Sequence, residues 1–501
     1  MCLEIEYEGQ AEAKFQDPNI KICGPVRIIF DESGKSSIEM EVKKSNKVGL
    51  AMHHVSRILD GNKCIRLIVD TKDGIFSADE EILFTDREGY NARQEMRYWL
   101  KFHPLSSVFD ATNAEPPKYW RLPLLNFVSN FSCKCSDLSN HPLRIDNEDY
   151  LIPFKFNDAW GFIEPLIDYK ERVKKLCECN IQNTLTAIMV GEVGSCSIEY
   201  NNLKKWFPFD FLGLLGLSTG SEVSAQCIEF RDARGGLVKR MHLGFKTPCY
   251  SKGHVAIDEF YNIGIGQLLN SFQNSPVYSE CSDESYFTAV LENLIRGGLN
   301  NLTSEDKLSH IFRGLDCLCE KCNCRTKDLR DSLDPEIKIK VEEIIKTAQK
   351  DLSELEKEER TKSEDQAKII RRIIRKISPY YDNAYGRAVI DLMQKFDLCD
   401  ADIIEVFYRE TPRWDGKKWI EILPIYRGRT MHSGYFKFGE NEHFRKDVPR
   451  IRRHLQDILL RIVLKMVNYE GTYDTILTQN KSIQRVDWVN PDTHASELGY
   501  Y

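Results

Sequence analysis

The strongest constraint on the fold is a change of hydrophobic period near residues 271–285, S-F-Q-N-S-P-V-Y-S-E-C-S-D-E-S. Before this polar, proline-containing stretch, short runs of β-branched and alternating residues are separated by turn signals. After it, apolar residues recur every three or four positions. Side chains alternate between faces along a strand and return to one face every 3.6 residues on a helix, so the two patterns demand different structures. The expectation is an α+β chain: a β-rich N-terminal region over residues 1–275, with a soft break near residue 140, then an all-α helical domain over 276–501.

In the first region, residues 26–30 and 37–42 flank D-E-S-G-K, the pattern of a hairpin. Residues 65–69 and 81–84 are strand candidates on either side of T-K-D-G, and 227–230 and 237–243 bracket D-A-R-G-G, the clearest turn in the chain. Helical patches are expected at 91–100, 161–177 and 257–272. The region contains no G-x-x-x-x-G-K-[ST], no G-x-S-x-G and no H-E-x-x-H, which argues against a nucleotide-driven or hydrolytic site there. His53 and His54 are adjacent without a partner carboxylate, the usual setting of a structural or exposed histidine. By analogy, the region is expected to serve recognition or regulation.

At 501 residues, with 42% hydrophobic and 29% charged, the chain suffices for two or three domains with their own cores. Its start, M-C-L-E-I-E-Y-E-G, lacks a basic and then apolar leader, and apolar runs such as 211–217 fall far short of the roughly 20 residues of a membrane span. A cytoplasmic protein with reduced thiols and no membrane contact is expected. Among sixteen cysteines, Cys317, Cys319, Cys322 and Cys324 cluster. They fall in the helical pattern of 308–324, where Cys317 and Cys319 point apart, so the expectation is small apolar residues with no metal and no cofactor.

The second region opens with helices at 286–299 and 304–324, the latter started by Ser-Glu-Asp. Asp334-Pro335-Glu336 begins another, laced with both charges to about residue 362, the pattern of a solvated face or a dimerisation arm. A basic amphipathic stretch follows at 369–377, then a helix pair over 388–408 and a loop at 409–418 interrupted by Pro412 and Gly416. The final helix, 448–469, places Ile451, Leu455, Ile458, Leu459, Ile462, Val463 and Met466 on one stripe to be buried. Trp488 is the residue expected to pin the tail.

Between that loop and that helix lies Y-R-G-R-T-M-H-S-G-Y-F, containing Arg427 and His432. Arginine carries a permanent charge in a two-donor fork, and histidine exchanges a proton near neutral pH. Together they suffice to cleave RNA without a metal: a base activates the ribose 2′-hydroxyl and a guanidinium stabilises charge on the phosphate. Such a spacing is expected on the order of once by chance in a chain of this kind, so context decides. Arg97 and His103 form a decoy that runs directly into Pro104 among aromatic residues. Around Arg427 and His432, the window from Arg409 to Arg453 has twelve basic and six acidic residues, a local +6 in a chain of net −7. A basic island of this kind is the footprint of a polyanion site. Arg429, Arg450 and Arg453 are candidate RNA contacts, and Trp414 a candidate base-stacking residue.

The segment Y-R-G-R-T-M-H-S-G resembles the R-x4-6-H signature of HEPN-domain ribonucleases, in which the arginine and histidine lie at the start of the last long helix of a small bundle. F-R-G-L-D-C-L, residues 312–318, resembles the early HEPN helix whose acidic residue faces the site, which makes Asp316 a supporting residue. The layout, a long β-rich region before a C-terminal HEPN-like bundle, is similar to ApeA-like anti-phage proteins. Gly428 stands where many members have a polar residue, so no secondary hydrogen bond is expected from that position. The resemblance implies a metal-independent endoribonuclease with Arg427 and His432 catalytic, acting on cellular RNA as a homodimer in abortive infection or as a toxin. The N-terminal region would sense a phage-derived or cellular trigger. The alternatives are an inactive RNA- or nucleotide-binding HEPN module and a structural interaction protein.

Overall fold

The computed structural model describes residues 5–15, 21–30, 36–42, 64–78, 83–90, 96–103, 106–131, 141–145, 150–156, 159–179, 184–194, 198, 203–207, 209–243, 250–257, 263–280, 286–324, 333–377, 384–398, 419–433, 442–477 and 483–486. The fold is mixed α+β, with two compact units. One comprises residues 1–303, 463–476 and 481–486; the other comprises 304–462, 477–480 and 487–501.

The first unit holds β1 (Ile5–Phe15), β2 (Lys21–Phe30), β3 (Ser36–Val42), β4 (Cys64–Thr71), β5 (Gly74–Ala78), β6 (Leu83–Tyr90), β7 (Met96–His103), β8 (Ser107–Ala111), β9 (Tyr119–Leu125), β10 (Ile152–Phe156), β11 (Ala159–Pro165), β12 (Leu185–Glu192), β13 (Ser224–Ala225), β14 (Cys227–Arg231) and β15 (Leu237–His242). They pair antiparallel in the order β10-β11-β12-β9-β14-β15-β8-β5-β4-β1-β2-β3-β7-β6, with β13 beside β9. A separate ribbon joins β16 (Thr472–Asp474) to β17 (Ile483–Arg485).

Residue alternation explains the one-sided strands: along β1, Tyr7, Ala11 and Ala13 are buried while Glu6, Glu8 and Gln10 are exposed. β9 and β12 are instead buried almost throughout and, apart from Arg121, Thr186 and Glu192, apolar on both faces. The sheet also curls. β1 and β15 are separated by β8, β5 and β4, which would set them about 19 Å apart in a flat sheet. Yet Arg240 Nη1 on β15 donates to Tyr7 Oη on β1 at 2.9 Å. The curled inner face closes over Tyr7, Phe30, Phe76 and Phe109.

Both expected hairpins form. β2 pairs with β3 from Val26↔Met40 to Phe30↔Ser36, and β14 with β15 around D-A-R-G-G. There the Asp232 carboxylate accepts the amides of Arg234 and Gly236 at 2.8 and 2.7 Å, and Gly235 takes φ +84°, which costs a glycine little. T-K-D-G joins β4 to β5, a strand the sequence reading does not include. The 81–84 candidate falls at the start of β6, whose partner is β7.

Two expected helices are corrected. Within 91–100, the described part is β7, paired on both sides by β3 and β6. Met96, Trp99 and Leu100 mimic helical spacing, but the aromatic-rich run satisfies its backbone between two strands, and the tertiary setting overrides the local period. Within 161–177, residues Ala159–Pro165 are β11, and α1 (Tyr169–Cys179) begins only after Asp168, which anchors Arg172 of the first turn at 2.6 Å. α2 (Leu203–Trp206), α3 (Asp210–Thr219), α4 (Ile263–Gln273), α5 (Pro276–Glu280) and α6 (Tyr286–Gly298) complete this unit. The 257–272 expectation corresponds to α4; residues 258–262 lie outside the described residues.

The second unit contains α7 (Ser304–Lys321), α8 (Pro335–Lys362), α9 (Glu364–Ile377), α10 (Ala384–Lys395), α11 (Trp419–Ser433) and most of α12 (Glu442–Met466). In the expected 388–408 pair, the first helix ends at Lys395 and Asp397 turns left-handed at φ +53°; 399–418 lie outside the described residues. The stripe expected on the last helix understates its burial. From His454 to Leu464 every residue of α12 is buried, including His454, Gln456, Asp457 and Arg461. Among the described residues, no helix is long and apolar enough to cross a membrane.

Candidate active site

Three helices of the second unit, α7, α10 and α11, pack against one another. On α7 the buried positions Leu308, Ile311, Phe312, Leu315, Leu318 and Cys319 recur at helical spacing, which leaves Asp316 at the edge of the apolar stripe. On α11 the buried positions are Leu423, Tyr426 and Thr430, and Arg427 borders them in the same way. The Thr430 hydroxyl is satisfied locally, donating to the Tyr426 carbonyl at 2.8 Å. Packing the two stripes together brings the two edge residues into contact.

Arg427 Nη2 donates to Asp316 Oδ2 at 2.8 Å, and Nε is shared between Oδ1 at 3.2 Å and Oδ2 at 3.3 Å. The guanidinium lies over the Tyr385 ring, 4.7 Å from its centroid, and Tyr385 packs edge-on against Phe312 at 5.8 Å. A two-point fork from arginine to carboxylate fixes orientation as well as charge. The bond to Asp316 raises the Arg427 pKa above its ordinary value, so the guanidinium is charged at any working pH. Burial, followed by the Asp316 charge, raises Tyr385 well above the usual phenol range, so the ring remains neutral. The Arg427 and Asp316 side chains are 34% and 29% exposed, so the pair is open to a ligand from solvent.

His432 is on the same helix five residues on, about 7.5 Å along the axis. Its side chain, like that of Arg429, lies outside the described residues, as does all of Trp414. Arg450 and Arg453 are half-buried in the third and fourth turns of α12. Between them, Arg452 donates to Gln456 Oε1 at 2.6 Å, and burial together with Arg453 lowers it to about 10. At Gly428 an added Cβ would meet nothing within 4 Å.

One placement differs from what the resemblance implies. Arg427 and His432 lie in the second half of α11, not at the start of the last long helix. The spacing of Leu423, Tyr426 and Thr430 continues one buried stripe through the motif, and Pro424, in the second turn, removes a hydrogen bond without ending the helix. The cysteine pattern is also shorter than expected: α7 stops at Lys321, and Asn323 turns left-handed before Cys324. Burial pushes the Cys319 thiol up to about 12. Among the described residues, no group of three or more His, Cys, Asp or Glu is placed to hold a metal ion.

Tyr385 is the member of this cluster that sequence reasoning missed. It precedes Gly386 in the first turn of α10, and nothing in its spacing signals a contact with residues 316 and 427. Comparisons with family models, curated proteins and solved structures find no match to this chain.

Proposed function

We propose that the chain is a metal-independent endoribonuclease of HEPN type, with Arg427 and His432 as its catalytic residues, acting on RNA as a cytoplasmic homodimer in anti-phage defence. The observation that carries this reading is the Asp316–Arg427 fork: two residues 111 positions apart, the motif arginine and the acidic residue that the resemblance assigns to support it, meet with about one-third of each side chain exposed. The +6 window around them supports a polyanionic substrate.

In this mechanism His432 takes the proton of a ribose 2′-hydroxyl. The 2′-oxygen attacks the adjacent phosphorus, the P–O5′ bond breaks, and the leaving oxygen receives a proton. The products are a 2′,3′-cyclic phosphate and a 5′-hydroxyl. Asp316 engages Nε and Nη2 of Arg427, which leaves Nη1 for the phosphate oxygens as charge accumulates on them. Arg429, Arg450, Arg453 and Trp414 would hold the strand. A homodimer would place two Arg-His pairs about one cleft and supply both the base and the acid. The β-rich unit would sense the trigger.

Purified protein incubated with total RNA, with and without EDTA, tests this. The expected result is cleavage that survives chelation and leaves cyclic phosphate ends, lowered about 100-fold or more in Arg427→Ala and His432→Ala with both variants still folded. Cleavage abolished by EDTA and restored by magnesium, or a folded His432→Ala protein cutting at the parental rate, would refute it. The hold of Asp316 on Arg427 also suits a module that grips RNA without cutting; there the parent binds RNA uncleaved and Arg427→Ala weakens binding.

A further inference from the structure

The first unit carries a second basic cluster, remote in sequence from the motif. Glu229 on β14 is the cross-strand partner of both Arg121 on β9 and Arg240 on β15, and Arg231, two residues further along β14, shares its face. Glu229 is 1% exposed, with Arg121, Arg231 and Arg240 at 14%, 19% and 11%. Arg231 forks onto Glu229 Oε2 at 2.9 and 2.7 Å, and Arg240 onto Oε1 at 3.0 and 2.7 Å. Their Nη1 groups are anchored as well, on the Gly235 carbonyl and on Tyr7 Oη. The neighbouring Glu164 is matched by Arg144 at 2.7 Å.

This leaves Arg121. It approaches Glu229 only to 3.9 Å, and its buried Nε has no hydrogen-bond partner among the described residues. Burial lowers its pKa from the ordinary value, the Glu229 charge offsets part of this, and the charge of Arg231 adds to the lowering. Three guanidiniums against one carboxylate leave an excess of +2 on a mostly buried surface, and an uncompensated charge at such depth is costly unless an anion meets it.

We propose that Arg121, Arg231 and Arg240 form a binding site for the phosphate group of a small phosphorylated ligand. A phosphate monoester carries about −1.5 to −2 charges at neutral pH, which matches the excess where a single carboxylate would not, and its oxygens suit the arginine fork. All three side chains keep some exposed area, which leaves the cluster reachable from solvent. This site is independent of the ribonuclease reading.

The test uses the full chain and inorganic phosphate, with melting temperature followed against sodium chloride at equal ionic strength. The parent is expected to gain stability with millimolar phosphate. Arg121→Gln is expected to fold as well as the parent, because Glu229 keeps two partners, and to lose phosphate affinity at least tenfold. Both proteins are also measured in the Arg427→Ala background, where the difference between them is expected to persist, which separates this site from phosphate held at the motif. No phosphate-specific shift in the parent, an unchanged response in Arg121→Gln, or a marked loss of folding in Arg121→Gln would each overturn the proposal, the last because Arg121 would then be a structural strut.

Discussion

Neutralising Asp316 tests the candidate site at its joint. Two unit charges about 4 Å apart attract by about 4 kcal/mol at an effective dielectric of 20, before desolvation is subtracted. Both side chains here are about one-third exposed, so solvent screens much of this, and fully exposed pairs retain only about 0.2–1 kcal/mol. The fork geometry and the Tyr385 ring beneath the guanidinium favour the upper end, so a coupling of about 1 kcal/mol is expected. Asp316→Asn and Arg427→Gln should each cost about 1–1.5 kcal/mol, and the double variant less than their sum by about 1. For a unit of this size, each single loss lowers the melting temperature by about 2–6 °C. Asp316→Asn should also lower cleavage about tenfold, less than Arg427→Ala, because it loosens the arginine without removing it. The assay is denaturant unfolding of the four proteins with RNA cleavage in parallel. A coupling below the roughly 0.3–0.5 kcal/mol scatter of independent sites would mean that the pair is not an energetic unit, and that its orientation of Arg427 is of no consequence.

Gly428→Ala should stabilise the protein by about 0.5–1 kcal/mol, because glycine is a poor residue inside a helix and the site has room for a Cβ; a destabilised variant would show that this face is covered. Arg97→Ala and His103→Ala, on β7, should leave cleavage intact, and a loss of cleavage at unchanged melting temperature would transfer the site to the decoy. Burial holds His454 at about 3 and His242 well below the ordinary histidine range, so the unfolded chain is protonated first. Their contribution to stability is therefore present above about pH 6.5 and falls as the pH drops below it, by about 1.5 kcal/mol for His454 between pH 6.5 and 5, with His242 acting in the same direction. Unfolding curves across that range check this, and His454→Gln should flatten the slope.

The change of period near residue 275 is enough to anticipate a mixed chain with most strands before it and mainly helices after, because side-chain alternation is a local property that packing enforces along each element; the ribbon β16–β17 is the exception within the region expected to be all-α. Hairpins such as β14–β15 were visible for the same reason: Asp232 and Gly235 build the turn from their own backbone and side-chain chemistry. β7 is not legible locally because its spacing fits a helix, and the neighbours that settle the matter, β3 and β6, are contributed from elsewhere in the chain. The site divides along the same line. Arg427 stands out in the sequence as a motif residue and Asp316 only through the resemblance of its helix, whereas Tyr385 is a member only because α10 crosses beneath the guanidinium. Arg121 belongs with Tyr385. Nothing near it in sequence marks it, and its excess charge exists only because the register of β9, β14 and β15 sets it beside a carboxylate that two other arginines already share. Both sites therefore depend on contacts between segments distant in sequence. In the first, a motif residue gains its orienting partner that way; in the second, an unremarkable arginine is left in need of one.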